Sequence, residues 1–191
     1  MSARAWAPNE DTAMGVHVKS NGGDVISFLK AQHKEIKALF EDVVAERGPE
    51  RAAKFRRLCS LLARHEAGEE GVVHPVATRA LDGGEAMVAA RLSEETAAKK
   101  AIGDLKGLDP SSNEFDMQIR ALQAKVLMHA EREEREELRK LAASLDQERL
   151  MRMRKTVERT EALADDSDDT DPNVYERTTM PANGRDVPGK A

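Results

Sequence analysis

RHEAGEEGVVHP, residues 64–75, is the stretch that decides how this chain folds. Upstream of it Phe55, Leu58 and Leu62 recur at steps of three and four, the spacing of one buried face of an α-helix. Continuing the same steps places His65 and Glu69 inward, followed by Val72 and Val76. At about 100° per residue, a four-residue step leaves His65 and Glu69 about 40° apart around the axis and one turn from each other. An apolar seam therefore turns polar for one turn inside the core and then becomes apolar again.

The pattern is written a second time. Phe115, Ile119, Leu122 and Val126 lead at the same steps into His129 and Glu133. The segments before these two also match: Leu29, His33, Ile36, Phe40 and Val43 form one seam, and Val88, Leu92, Glu95, Ala98, Ile102 and Leu105 form the other. Placing His33 on Glu95 also puts Lys37 on Lys99, Phe40 on Ile102 and Val43 on Leu105. Placing His65 on His129 puts Glu69 on Glu133, and the slightly larger offset is absorbed by the longer loop GLDPSSNE, 107–114. The chain reads as a helical hairpin repeated, each copy carrying one single ligand-type residue and one His-x-x-x-Glu pair.

The remainder supplies a scaffold. A length of 191 residues suits one ordinary domain, and a charged, aromatic-poor composition rich in Ala, Leu, Glu, Lys and Arg predicts an all-α protein. Gly- and Pro-marked breaks at RGPE (47–50), LDGGE (81–85) and GLDPSSNE delimit four helices at 24–46, 51–80, 85–106 and 113–145. Short connections make neighbours antiparallel, giving an up-down-up-down four-helix bundle over 23–146. A further helix at 147–163 extends the last one or packs outside it. Residues 1–22 read as a flexible tail, and 164–191, rich in Asp and Pro, as a disordered acidic one. The net charge of −5, with its basic residues dispersed, offers no reason to expect nucleic acid or an anionic membrane as partner. No apolar run is long enough for a bilayer span, and the single Cys59 excludes an internal disulfide, so the cytoplasm is the expected location.

Electrostatics gives the polar layer its purpose. Glu69, Glu95 and Glu133 would converge with His33, His65 and His129 in one layer that no seam Lys or Arg enters. An uncompensated buried charge costs on the order of several kcal/mol, against about 5–15 kcal/mol that holds a whole domain together. Two divalent cations would compensate, with room for a bridging hydroxide and open coordination positions, and mixed imidazole and carboxylate ligands favour iron or manganese. Glu94 is the rival of its neighbour Glu95, and repeat alignment selects Glu95. Glu66, Glu70 and EREEREE (131–137), Glu133 excepted, read as a solvated face. His74 lies nine residues after His65 and so points away from the seam in an unbroken helix. Pro75 should kink the helix at Gly71, and His74 would then line the pocket as proton donor or extra ligand.

QHKEIKALF (32–40), LLARHEAGEEGVVHP (61–75), EETAAKKAIGDL (94–105) and LMHAEREEREEL (127–138) together resemble the hemerythrin-like HHE cation-binding family. The resemblance implies a four-helix bundle around two non-haem iron ions with a bridging oxo or hydroxo group, manganese being the less favoured metal. Carried over by position, it implies His33, His65, Glu69, His129 and Glu133 as ligands, with Glu95 where the family most often has a histidine. That carboxylate tilts the expectation from oxygen carriage toward redox or peroxide chemistry. The family's range implies a protein that binds or reduces O2, NO or peroxide in oxidative or nitrosative stress or iron handling. Peroxidase- or catalase-like turnover is one form of this. A non-enzymatic oxygen, NO or iron sensor or storage module is the alternative.

Overall fold

The computed structural model describes residues 23–168, with side chains to 164. Helix α1 spans Val25–Ala45, α2 Gly48–Gly68, α3 His74–Ala80, α4 Gly84–Lys106, α5 Asn113–Glu133, α6 Arg139–Ser144 and α7 Gln147–Asp168. A π-helical turn at Glu69–Val73 joins α2 to α3, and another at Glu134–Leu138 joins α5 to α6. Each pair forms one long rod, so the expected four-helix bundle is present with α7 added. Asp24 starts α1 by accepting the Ser27 N–H at 2.9 Å, and Ser112 does the same for Phe115 at the head of α5.

The core is split in two along the bundle axis. One apolar cluster contains Phe40, Leu58, Leu62, Ala98, Phe115 and Val126, and the other Leu29, Val72, Ala77, Val88, Leu138 and Val157. On every long rod the passage between the clusters goes through a buried polar side chain: His33, His65 with Glu69, Glu95, and Glu133. The seam of α4 differs from the expected one, because Leu92 is exposed at 38% while Arg91 turns inward at 3%. Arg91 is held there by Glu94 on its own helix at 2.9 Å and by Glu136 across the bundle at 2.6 Å.

Helix α7 does not extend the last rod. Leu145 adopts an extended conformation that ends α6, Asp146 Oδ1 accepts the Arg149 N–H at 2.7 Å, and α7 folds back onto α1, α2 and the first π turn. Leu150, Met153, Val157 and Glu161 form its buried stripe. The helix continues to Asp168, past the expected start of the acidic tail at 164, while the expectations for 1–22 and 169–191 concern residues outside those described.

One close approach fixes the α3–α4 corner. A Cβ at Gly84 would lie 2.3 Å from the Ala77 carbonyl oxygen and 3.1 Å from Thr78 Cα, both backbone atoms that move only if α3 moves. Gly84→Ala is therefore expected to destabilise the fold by about 1–3 kcal/mol, the usual cost of overpacking, measured as a lowered urea midpoint with an unchanged slope.

Candidate metal centre

The first π turn decides what enters the core. In an α-helix the ring of Pro75 would collide with the Gly71 carbonyl, and its missing N–H would break the ladder. Here the ladder shifts by one residue instead of kinking, and the His74 N–H bonds to the Glu69 carbonyl, an i to i+5 link. Residues five apart then share a face, so His74 follows Glu69 into the centre and is 2% exposed. In the second π turn the residue five after Glu133 is Leu138, which is 0% exposed, and Glu137, four after Glu133 and so on the same face by the ordinary α-helical step, is 0% exposed as well. His74 thus turns inward through a π turn in place of the kink expected at Gly71, while the expectation that only Glu133 of EREEREE turns inward is corrected by the burial of Glu137. Glu66, also expected in solvent, is buried and held by Lys99 at 3.4 Å.

Two overlapping groups of ligand atoms result. His33, His65, Glu69 and Glu133 each offer one atom, and these atoms lie within 4.8 Å of one another; Glu69, His74 and Glu95 do the same, so Glu69 belongs to both. In the first group, the Nε2 atoms of His33 and His65 face each other at 3.1 Å. His33 Nε2 is 3.1 Å from Glu133 Oε2, and His65 Nε2 is 3.1 Å from Glu69 Oε1. In the second, His74 Nε2 lies 2.8 Å from Glu95 Oε1. Cation–ligand bonds of about 2.0–2.3 Å place neighbouring donors at such separations.

The imidazoles are oriented from behind. His33 Nδ1 donates to Glu134 at 2.9 Å, His65 Nδ1 to Gln32 Oε1 at 2.9 Å and His74 Nδ1 to Glu137 at 3.0 Å. With Nδ1 carrying the hydrogen, each Nε2 turns its lone pair to the cluster, the arrangement of metal-ligating histidines. Two such lone pairs 3.1 Å apart repel unless a proton or a cation lies between them.

His129 is placed differently from its repeat partner His65. Its Nδ1 donates to Glu94 at 2.9 Å, and its Nε2 stops 4.0 Å from Glu95 Oε1, outside both groups. Glu94, the rival to Glu95, is drawn outward by His129, Arg91 and Arg132, and these partners hold its carboxyl below the ordinary value against the opposing effect of burial. His129 instead borders a cavity of about 200 Å³ that reaches the cluster between α4 and α5, with Ile36, Leu62, Ala98, Val126 and Met128 as apolar wall.

Without a cation the layer is electrostatically frustrated. Both oxygens of Glu69 and of Glu133, and one each of Glu95 and Glu137, are buried with no hydrogen-bond partner. Burial, together with Glu133 and Glu95, pushes Glu69 well above the carboxylate range. Burial acts the same way on Glu133, but His33 overrides it and takes that carboxyl down to about 2. Burial and the His33 ring lower His65 to about 3, so it is neutral. Burial also lowers His74, but the carboxylates of Glu137 and Glu95 outweigh it and raise the ring to about 10. Protons on such rings hold the places of cations, and the residues fit a pair of divalent metals by donor type, convergence and orphaned oxygens.

A helical bundle whose core is interrupted by a histidine and carboxylate layer defines a class of cation-binding protein. The hemerythrin HHE cation-binding domain matches residues 24–141, and the chain belongs to that family. A crystal structure of a hemerythrin HHE cation-binding domain-containing protein from Mycobacterium kansasii shares the fold, with a TM-score of 0.65 and 17% sequence identity over 75% of this chain and 88% of that one. No curated protein matches the sequence. Among the described residues, no helix is long and apolar enough to cross a membrane.

Proposed function

We propose that this protein is a non-haem di-iron protein that binds or reduces O2, NO or peroxide. The reading rests on the five orphaned oxygens of Glu69, Glu133 and Glu95, which converge with three oriented imidazoles in one buried layer. His33, His65 and Glu133 would hold one iron, His74 and Glu95 the other, with Glu69 shared between them. When bound, the iron pair supplies the redox change and the open coordination positions. Imidazole and carboxylate donors without thiolate favour iron or manganese over the softer metals.

The chain's own residues do the rest. Glu134, Gln32 and Glu137 hold the imidazole hydrogens and so aim the lone pairs. The apolar wall of the cavity excludes bulk water and admits a small neutral ligand to the cluster. His129, at the boundary between cavity and cluster, presents Nε2 to that ligand rather than completing the second group. Glu95 in place of a neutral imidazole adds negative charge, which stabilises the oxidised pair and favours reduction of a ligand over its reversible carriage.

Metal analysis with a visible spectrum of aerobically prepared protein tests the reading. Two irons per chain with oxo-bridge absorption are expected, and His74→Ala is expected to retain about one iron, because only the second group loses its imidazole. A wild-type sample without transition metal, or a His74→Ala protein with both irons at wild-type affinity, would remove the assignment. Steady peroxide turnover would make the protein an enzyme, whereas tight ligand binding without turnover would make it a sensor.

A further inference from the structure

Helix α7 reaches the metal centre through a chain of hydrogen bonds. Gln32 Nε2 donates to Glu161 Oε1 at 3.0 Å and Oε2 at 2.9 Å, while Gln32 Oε1 accepts from His65 Nδ1 at 2.9 Å. All three side chains are buried: Gln32 is 6% exposed, His65 4% and Glu161 8%. The approach is close enough that a Cβ on Gly68 would stand 2.8 Å from Val157 Cγ1 and 3.1 Å from Glu161 Oε1.

The order of donors in this chain carries information. A side-chain amide has a donor end and an acceptor end and can be turned over within the same volume. With its NH2 toward His65, it would need a lone pair on Nδ1, and the ring hydrogen would move to Nε2, inside the cluster. An ionised carboxylate only accepts, and both Glu161 oxygens lie within 3.0 Å of the same Gln32 Nε2. Burial pushes this carboxyl up to about 7, so above that pH Glu161 takes the NH2 end of Gln32 and leaves the amide oxygen for His65. We propose that Glu161 is a positioning residue of the metal centre: by fixing the orientation of Gln32, it selects the Nδ1–H tautomer of His65 and keeps Nε2 available to a cation. The inference rests on the di-metal reading for its consequence, though the tautomer itself is a property of the metal-free chain.

The test uses the full chain with two readouts. Imidazole 15N shifts of the metal-free protein report the His65 tautomer, and chelator competition with Mn(II), which undergoes no redox step, reports affinity at each position. Glu161→Leu is expected to move His65 toward the Nε2–H tautomer and to weaken one of the two Mn(II) positions by about 10–100-fold, the usual effect of losing a group that orients a ligand. Adding Gln32→Glu to Glu161→Leu should restore both, because a carboxylate at 32 can only accept from His65. Val157→Ala, which loosens the same α7 contact without touching the relay, should lower the unfolding temperature and leave tautomer and affinity in place. An unchanged tautomer in Glu161→Leu, an affinity loss matched by Val157→Ala, or no restoration by Gln32→Glu would overturn the proposal. Absence of Mn(II) binding by the wild type, with the tautomer shift present, would instead overturn the di-metal reading and the consequence drawn from it.

Discussion

Saturating the metal-free protein with excess Mn(II) or anaerobic Fe(II) is expected to raise its unfolding temperature by about 8–16 °C for each position filled. A ligand bound only by the folded state at about 1,000 times its dissociation constant adds about 4 kcal/mol. For a chain of this size, each kcal/mol is worth about 2–4 °C. The pH dependence supplies a second signature, because the two forms should have slopes of opposite sign. In the metal-free protein, His74 stands raised to about 10 from an ordinary 6.5. Its stabilising contribution is fully present below about pH 6.5 and is lost as the pH rises toward 10. Glu69, also raised, acts in the same direction. His65, lowered to about 3, costs stability only below about pH 6.5, outside that window. In the loaded protein the same groups must release their protons to bind metal, so stabilisation by metal grows as the pH rises. Thermal melts with and without chelator between about pH 6.5 and 9 would decide it. A chelator that leaves the melting curve unchanged, or parallel slopes in the two forms, would reduce the layer to a set of buried protonated acids.

Glu69→Gln is expected to have the largest effect of any single substitution in the centre. Glu69 is 0% exposed, both its oxygens lack hydrogen-bond partners, and it belongs to both groups of ligand atoms. The substitution keeps the volume and removes the charge, so affinity should fall at both positions by more than the about 10–100-fold typical of an orienting residue. The metal-free protein should become more stable at neutral pH, since folding no longer suppresses the ionisation of a buried acid. Glu95→Gln, which touches one group alone, should weaken one position and spare the other. Isothermal titration with Mn(II) separates these cases. Full affinity at both positions in Glu69→Gln would show that the shared carboxylate is not a ligand.

The stability of the metal-free fold and its affinity for metal thus respond in opposite directions to one side chain. That opposition arises because carboxylates unsuited to an apolar core are kept there by what they bind. Gln32 and Glu161 extend the same logic beyond the four rods, since α7 buries polar groups that contribute orientation rather than packing.

The all-α bundle, the boundaries of its rods and the inward pairs His65–Glu69 and Glu133 were legible in the sequence. They depend on local periodicity, which a single strand of text records completely. Polar residues standing where apolar ones are due also marked the layer and its need for cations. What only the tertiary structure decided was the membership of the layer at its edges. His74 enters because a π turn changes the rotation per residue and so breaks the α-helical count on which the sequence reading relies, and Glu137, one α-helical turn after Glu133, is buried against it as the acceptor of its ring hydrogen. His129 stands back at the cavity wall, because Glu94 competes for it. Glu161, more than a hundred residues from Gln32 along the chain, reaches the centre only once α7 folds back over Gly68. Periodicity fixes which face of a helix a residue occupies, but hydrogen-bond partners contributed by other helices fix where along that face its side chain ends.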